Sequence, residues 1–124
     1  MAFTVSTDAR LDVVDVTDDV AAAVPDDATG TVTVFVEHTT AGVVVNEAEP
    51  RLLDDMRTFL SDVVPDEGWK HDELDGNADS HLRAMLLGPS ETIPVDGGEL
   101  SLGRWQSVLL IDCDGPRERT VRVV

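Results

Sequence analysis

Three histidines are the residues best suited to chemistry in this chain of 124 residues. His38, His71 and His81 could converge as imidazole ligands of a divalent metal and leave an open position for water or substrate. Each could instead be a hydrogen-bonded histidine at the margin of the core. The separations of 33 and 10 residues match no short metal motif, so the residues alone favour the second alternative.

Carboxamide and carboxylate side chains form a second candidate group. Asn46, Glu47 and Asn77 stand where the sequence predicts helices to begin, and the commonest role of asparagine there is capping. A helix N-terminus is also a natural anion site, so capping and binding are compatible. Glu47 could act as a general base or a metal ligand, but a glutamate in the first turn usually complements the helix dipole. The spacing alone therefore favours a structural role for Glu47.

Arginines and hydroxyls form the third group. Arg117 and Arg119 follow a predicted turn, and guanidinium groups bind phosphate through paired hydrogen bonds. The hydroxyls of Thr39, Thr40 and Ser90 could complete such a phosphate site. No Walker-type glycine loop is present, so a nucleoside triphosphate is not indicated. The alternative, in which both arginines pair with surface acids, stays open.

The composition narrows the range of partners. Twenty-five acidic residues against nine basic ones give a formal net charge of −16, which repels nucleic acid and anionic membranes. Lys70 is the single lysine, a pattern that favours a halophilic source, where salt screens the self-repulsion. No apolar run approaches the length of a membrane span, and the N-terminus lacks a signal-peptide pattern. We therefore expect a cytoplasmic protein with neither nucleic acid nor a membrane as partner.

The elements that must position these groups follow from the apolar periodicity. Strands are predicted at residues 3–5, 11–16, 31–38, 43–45, 90–96, 99–102, 105–112 and 119–124. A short helix is expected after Thr17 as N-cap, and a long one up to Pro65 with Asn46 and Glu49 as a capping box. Strands flank two main helices without regular alternation. This predicts one compact α+β domain over residues 1–124, with a mostly antiparallel sheet or sandwich.

The second main helix, predicted from Asn77 to about Leu87, should carry His81 toward the core. Its apolar stripe at three- and four-residue spacing would comprise Ala78, His81, Leu82, Met85 and Leu86. His38 ends the apolar row of its own strand, where a pocket can open. Trp105, at the start of a long apolar strand, is expected to pack inside.

The motifs that surround these residues resemble those of a known family. In order along the chain they are HTTAGV at 38–43, NE at 46–47, WKH at 69–71, SHL at 80–82, GPS at 88–90, IPV at 93–95, GELSLGRWQ at 98–106 and DGPR at 114–117. Together they resemble the YjbQ-like family, whose members are described as secondary thiamine-phosphate synthases. The resemblance runs over nearly the whole chain.

The resemblance implies a compact α+β subunit that assembles as a homotrimer with sites near subunit contacts. It also implies a pocket that uses His38, His71, His81 and Asn77. The implied reaction joins a hydroxymethylpyrimidine diphosphate to a thiazole phosphate and releases pyrophosphate. The description "secondary" leaves open that this is a side activity.

Roles for the candidate residues follow from that reaction. A diphosphate leaving group calls for a divalent cation, such as zinc or magnesium, and for arginines that take up negative charge. The three histidines would bind the metal or polarise the diphosphate, and Arg117 and Arg119 would hold phosphate. Asn77 and Glu47 would orient the pyrimidine or a water. Two alternatives stay open: a metal-dependent hydrolase of a small phosphorylated or amide substrate, and a non-enzymatic trimeric module that binds a small anion.

Overall fold

Eight strands form two antiparallel sheets in the computed structural model, which describes residues 1–124. The strands are β1 (Ala2–Ser6), β2 (Asp12–Asp15), β3 (Gly30–Val36), β4 (Ala41–Asn46), β5 (Ser90–Asp96), β6 (Glu99–Leu100), β7 (Ser107–Asp112) and β8 (Glu118–Val123). One sheet has the order β1-β8-β3-β5-β6, and the other has the order β2-β7-β4. The predicted α+β fold with antiparallel sheets is confirmed.

The main core is largely valine and lies between the two sheets. It contains Val34 and Val121 from the larger sheet and Leu110 from β7, all almost fully buried. The alternate residues of β7, Leu109 and Ile111, point the other way into a second, smaller core beneath the helices. Strand β7 is therefore buried on both faces, which explains its nearly continuous apolar run.

The three helices are α1 (Thr17–Ala22), α2 (Pro50–Val63) and α3 (Ala78–Leu87), with a 3-10 helix at Lys70–Glu73. Helices α2 and α3 contribute to the second core, whereas Val20 of α1 belongs to the main core. The predicted capping box at Asn46 is wrong. Strand β4 stays paired as far as Asn46, opposite Ser107, so that residue is committed to the ladder. Glu49 caps α2 instead, where its carboxylate accepts the amide proton of Leu52 at 2.8 Å, and Pro50 occupies the first helical position. None of the helices combines the length and the apolar content needed to cross a lipid bilayer.

Two further local predictions are wrong. Thr17 lies inside α1 rather than capping it, because its hydroxyl donates to Asp15 and accepts the amide proton of Val108. Trp105 precedes β7 in a turn and is 64% exposed. That turn is closed by the amide of Gly103, which donates to the side-chain oxygen of Gln106 at 2.8 Å.

Helix α3 is turned relative to the prediction. Its buried residues are Ala78, Asp79, Ser80, Arg83 and Ala84. Met85 and Leu86 of the predicted inner stripe are 71% and 60% exposed. The helix therefore has a polar inner face and an apolar outer one.

Ionic and carbonyl partners make this orientation possible. Arg83 donates to the carbonyls of Leu60 and Val64 at the end of α2, at 2.9 and 2.7 Å. The same guanidinium pairs with Asp79 at 2.5 Å, and Asp79 also accepts from Arg10 at 3.0 Å. Because every charge on this inner face has a partner, α3 can bury polar groups that would otherwise be costly.

Candidate functional site

Gly42 in β4 sets how closely α3 approaches the smaller sheet. A Cβ atom at this position would lie 2.7 Å from Cβ of Leu87 and 2.8 Å from the carbonyl oxygen of Gly88. The amide of Val43 donates to that same Gly88 carbonyl at 3.1 Å. Only glycine permits this contact. The contact holds the end of α3 against β4, which begins three residues after His38.

Two cavities share His81 as a common wall. The first, the 71–81 cavity, has a volume of about 580 Å³ and is lined by His71, Trp69 and His81. The second, the 38–81 cavity, has a volume of about 640 Å³ and is lined by His38, Thr39 and His81. Both volumes lie within the range of small-ligand sites. The structure thus brings all three histidines to one region of the surface.

His71 is held by the 3-10 helix and meets His81 edge to face. The two ring centroids lie 5.0 Å apart, with an interplanar angle of 88°. Nε2 of His71 is buried without a hydrogen-bond partner in the chain, and the nearest carboxylate, Asp75, lies 3.7 Å away. This nitrogen is therefore enclosed by the chain but unsatisfied within it.

His38 lies two residues beyond the end of β3 and is fixed by a backbone amide. The N–H of Thr120 donates to Nε2 of His38 at 2.8 Å. The imidazole thereby accepts the hydrogen bond of an amide that would otherwise pair with the backbone beyond the end of β3. Burial and the nearby Arg119 guanidinium lower the pKa of His38 below its ordinary value.

Asn77 precedes α3 but does not cap it with its side chain. Instead, a carboxylate oxygen of Asp72 lies 3.3 Å from the amide nitrogen of Ala78 and accepts its proton. The Asn77 amide group donates to Asp114 at 2.9 Å, and its oxygen is buried without a partner. Asn77 therefore stands at the predicted N-cap position without the expected side-chain cap, and its buried oxygen is left unsatisfied within the chain.

Arg119 and Thr40, both predicted to bind phosphate, belong to a buried network. Arg119 is 3% exposed and pairs with Asp112 at 2.6 Å, and it also donates to the hydroxyl of Thr40 at 2.8 Å. Asp112 is fully buried and accepts from the hydroxyl of Thr7 at 2.6 Å. An exchange of these partners for a phosphate would leave a buried carboxylate unpaired, which argues against a phosphate site at these two residues. Their role in phosphate binding stays a prediction.

Arg117 is the arginine that faces solvent. Its Nε and Nη2 donate to the carbonyl and carboxylate of Asp114, at 2.8 and 3.3 Å. Asp114 also holds Asn77, so one carboxylate joins these two predicted site residues. Ser90 is exposed at the start of β5 opposite Phe35, next to the wall of the 38–81 cavity rather than in it.

Asn46 and Glu47 lie away from the histidines in the single chain. They stand at the far end of β4, about 17 Å from its start at a strand's usual rise. There Glu47 lines a separate cavity of about 310 Å³ with Arg104 and Trp105. The guanidinium carbon of Arg104 sits over the Trp105 ring at 4.8 Å. The structure does not bring Asn46 and Glu47 together with the other predicted site residues.

Sequence reasoning missed the acids that organise the site. Asp79, Asp112 and Asp114 hold Arg83, Arg119 and Asn77 respectively. Asp112 carried a usable signal, because a carboxylate within an apolar run requires a buried partner. Asp79 carried a partial signal, because Arg83 stands four residues later on the same helix, whereas its second partner, Arg10, comes from a distant segment. No group of three or more His, Cys, Asp or Glu side chains is arranged to hold a metal ion.

Comparison with known proteins gives a consistent result at the level of sequence. The family described as UPF0047 protein YjbQ-like matches residues 1–124. The UPF0047 protein of Archaeoglobus fulgidus is 46% identical over 124 residues, which cover 99% of this chain and 98% of the relative. The UPF0047 protein YugU of Bacillus subtilis is 33% identical, with 94% and 90% covered.

Solved structures agree with the fold. A hypothetical protein from Aeropyrum pernix K1 is 47% identical and has a TM-score of 0.96, over 100% of this chain and 95% of that one. An uncharacterized conserved protein of the YjbQ/UPF0047 family from Clostridium acetobutylicum is 37% identical and has a TM-score of 0.91, over 100% and 98%. The chain belongs to the YjbQ-like UPF0047 family over its whole length.

Proposed function

We propose that this protein joins a hydroxymethylpyrimidine diphosphate to a thiazole phosphate and releases pyrophosphate, the reaction that the family resemblance implies. The observation that carries the proposal is the shared position of His81. It forms a wall of two cavities, one with His71 and one with His38. A condensation needs two small ligands side by side with one catalytic group between them, and this arrangement suits it.

The reaction makes one bond and breaks one. The thiazole nitrogen attacks the methylene carbon of the pyrimidine, and the carbon–oxygen bond to the diphosphate breaks. The bonding electrons leave with pyrophosphate, so negative charge grows on the diphosphate oxygens. Groups that take up this charge lower the barrier.

His71 and His81 are the residues that fit a divalent cation best. Their rings are adjacent, and Nε2 of His71 has no partner in the chain. The chain offers no complete three-ligand group, so phosphate oxygens of the substrate would have to supply further ligands. Imidazole nitrogen favours zinc over magnesium. When bound, such a cation would polarise the diphosphate oxygens.

Arg117 and Asn77 are proposed to orient the substrates. The guanidinium of Arg117 keeps Nη1 without a partner in the chain, so it can contact a phosphate from solvent. The buried oxygen of Asn77 also lacks a partner and can accept from an amino group such as that of the pyrimidine. Asp114 fixes both side chains, so their spacing does not depend on the ligand.

We also propose that the protein works as a homotrimer, the assembly that the resemblance implies. Support comes from an apolar strip of four exposed residues that line one shallow cavity: Val63, Trp69, Met85 and Leu86. In a protein with a net charge of −16, an uncovered apolar strip is a strong sign of a contact surface. A second copy of this chain is the occupant we propose.

The test is a substrate assay at high salt with wild type, His81→Ala and the control Asp62→Ala. Pyrophosphate release that requires both substrates, and that falls at least about 100-fold in His81→Ala, supports the proposal. Asp62 is an exposed residue of α2, and its variant should keep full activity. Hydrolysis of one phosphorylated substrate alone would favour the hydrolase, and binding without turnover would favour the anion-binding module.

A further inference from the structure

We infer that His38 is a neutral hydrogen-bond donor to the ligand through Nδ1, rather than a third metal ligand. The inference rests on the proposed function, since it gives His38 a role toward the diphosphate. Its basis is the hydrogen bond between Thr120 and His38 and the position of His38 in the 38–81 cavity.

The Thr120 contact fixes where the ring proton lies. A backbone N–H can only donate, so the nitrogen that it faces must carry a bare lone pair. That nitrogen is Nε2, at 2.8 Å. A neutral imidazole has one N–H, which is therefore on Nδ1.

The surroundings of His38 keep the ring neutral. A second proton would have to go onto Nε2, where it would point at the proton of the Thr120 amide. Burial and the Arg119 guanidinium also disfavour the charged ring and lower its pKa. Asp112 and Glu37 act in the opposite direction, and Arg117 adds to the lowering.

The same geometry removes His38 from the set of metal ligands. A metal needs a nitrogen lone pair, but the lone pair of Nε2 is engaged by Thr120 and Nδ1 carries the proton. Nδ1 has no partner in the chain and is not among the buried unpartnered atoms, so its N–H is open to a ligand. A donor fixed in this way can stabilise negative charge on an oxygen without any rearrangement. The ligand chemistry that fits is a phosphate or diphosphate oxygen.

The first experiment measures the tautomer in the unliganded wild-type protein. Long-range proton–nitrogen correlation spectra of the imidazole rings distinguish a protonated Nδ1 from a protonated Nε2, and the spectrum of His38→Asn assigns the His38 signals. We expect Nδ1 protonated and Nε2 bare. A protonated Nε2 would overturn the inference.

The second experiment uses two matched variants with zinc alone and inorganic pyrophosphate alone as probes. His38→Asn places an amide near the position of Nδ1 and keeps a donor to the ligand. His38→Gln places its amide near Nε2, where it keeps the acceptor for Thr120 but loses the donor. We expect zinc affinity to change by less than about threefold in both variants. Pyrophosphate affinity should fall about 10- to 100-fold in His38→Gln, as for a lost hydrogen bond to a charged group, and less in His38→Asn.

The outcomes separate this inference from the proposed function. Loss of zinc in either folded variant would restore His38 as a metal ligand and overturn the inference. Equal pyrophosphate affinity in wild type and His38→Gln, or no pyrophosphate binding by the wild type, would also overturn it. If the tautomer and both binding results are as expected but no condensation is observed, the inference stands and the proposed reaction fails.

Discussion

Asp112 and Arg119 form an ion pair with 2.6 Å between Oδ1 and Nη2, and the two side chains are 0% and 3% exposed. The pair links the end of β7 to the start of β8. Thr7 on one side and Thr40 on the other satisfy further hydrogen bonds of the two groups. Such a pair contributes little net stability when intact, but its disruption leaves a buried charge alone.

Asp112→Asn should therefore destabilise the fold by about 3–5 kcal/mol, because the Arg119 guanidinium loses its counter-charge in the interior. Urea unfolding at fixed salt measures the difference. Asp62→Asn removes an equal charge from an exposed site and should change stability by less than about 0.5 kcal/mol. Similar losses in both variants would mean that net charge, rather than the pair, sets the effect.

A low pH should reduce the stability of the fold, because it protonates the carboxyl group of Asp112. Burial alone would raise the pKa of Asp112, but hydrogen bonds from Arg119 and Thr7 outweigh it, and the pKa lies below the ordinary value of 3.8. At a pH between the folded-state and unfolded-state pKa values of Asp112, the unfolded chain binds more protons than the folded one. The free energy of unfolding therefore rises with pH in this range. The contribution of the ionised Asp112 carboxylate to stability is complete above the unfolded-state pKa. It is lost as the pH falls through the folded-state pKa. Unfolding free energy measured from pH 6 down to about pH 2 should fall more steeply in wild type than in Asp112→Asn.

Gly42→Ala should disturb the site without touching a ligand. The new methyl group would meet Leu87 and the Gly88 carbonyl at less than 3 Å, so α3 must move away from β4. We expect a loss of about 1–3 kcal/mol in unfolding free energy and weaker binding of pyrophosphate.

A matched control for Gly42 is Gly103→Ala. The nearest atom to a new methyl group there is the side-chain oxygen of Gln106, at 3.2 Å. This oxygen is the end of a flexible, exposed side chain, so a shift of a few tenths of an ångström can keep its hydrogen bond to the Gly103 amide. This variant should keep nearly the stability and the pyrophosphate affinity of the wild type. If Gly42→Ala behaved like Gly103→Ala, the contact between α3 and β4 would not set the geometry of the site.

Met85→Asp should break the assembly. The side chain is 71% exposed in the single chain and lies in the proposed apolar contact strip, where a carboxylate would be buried unpaired. Light scattering after size-exclusion chromatography should show a trimer for wild type and a smaller species for the variant. Leu74→Asp is the control, because Leu74 is also apolar and exposed but outside that strip. A trimer that persists in Met85→Asp would exclude this strip as the contact.

Most of the fold follows from local patterns. Alternating valines predicted β3 and the apolar run predicted β7, because strand periodicity depends on near neighbours alone. The predictions are wrong where contacts with a segment distant in the sequence determine the local conformation. Asn46 is a good helix cap in isolation, but its pairing with Ser107 on β7 keeps it in a strand.

The grouping of the candidate site residues could be predicted only in part, for the same reason. The sequence identified the three histidines as candidates, and the structure places His38 and His71 in the two cavities that share His81. The sequence could not show that Arg119 is paired with the buried Asp112, or that the length of β4 separates Glu47 from His38. Both facts depend on the order of the strands in the two sheets, and a single sequence does not specify that order directly.

The reversed polarity of α3 has a consequence for mutational tolerance. On most surface helices, charged positions accept many substitutions and large apolar positions accept few. In the isolated chain α3 should show the opposite pattern. Asp79 and Arg83 anchor the helix to the end of α2 and to Arg10, whereas Met85 contacts mainly solvent. A saturation scan scored for folding of the single chain should therefore identify the two charged residues as intolerant positions and the methionine as a permissive one.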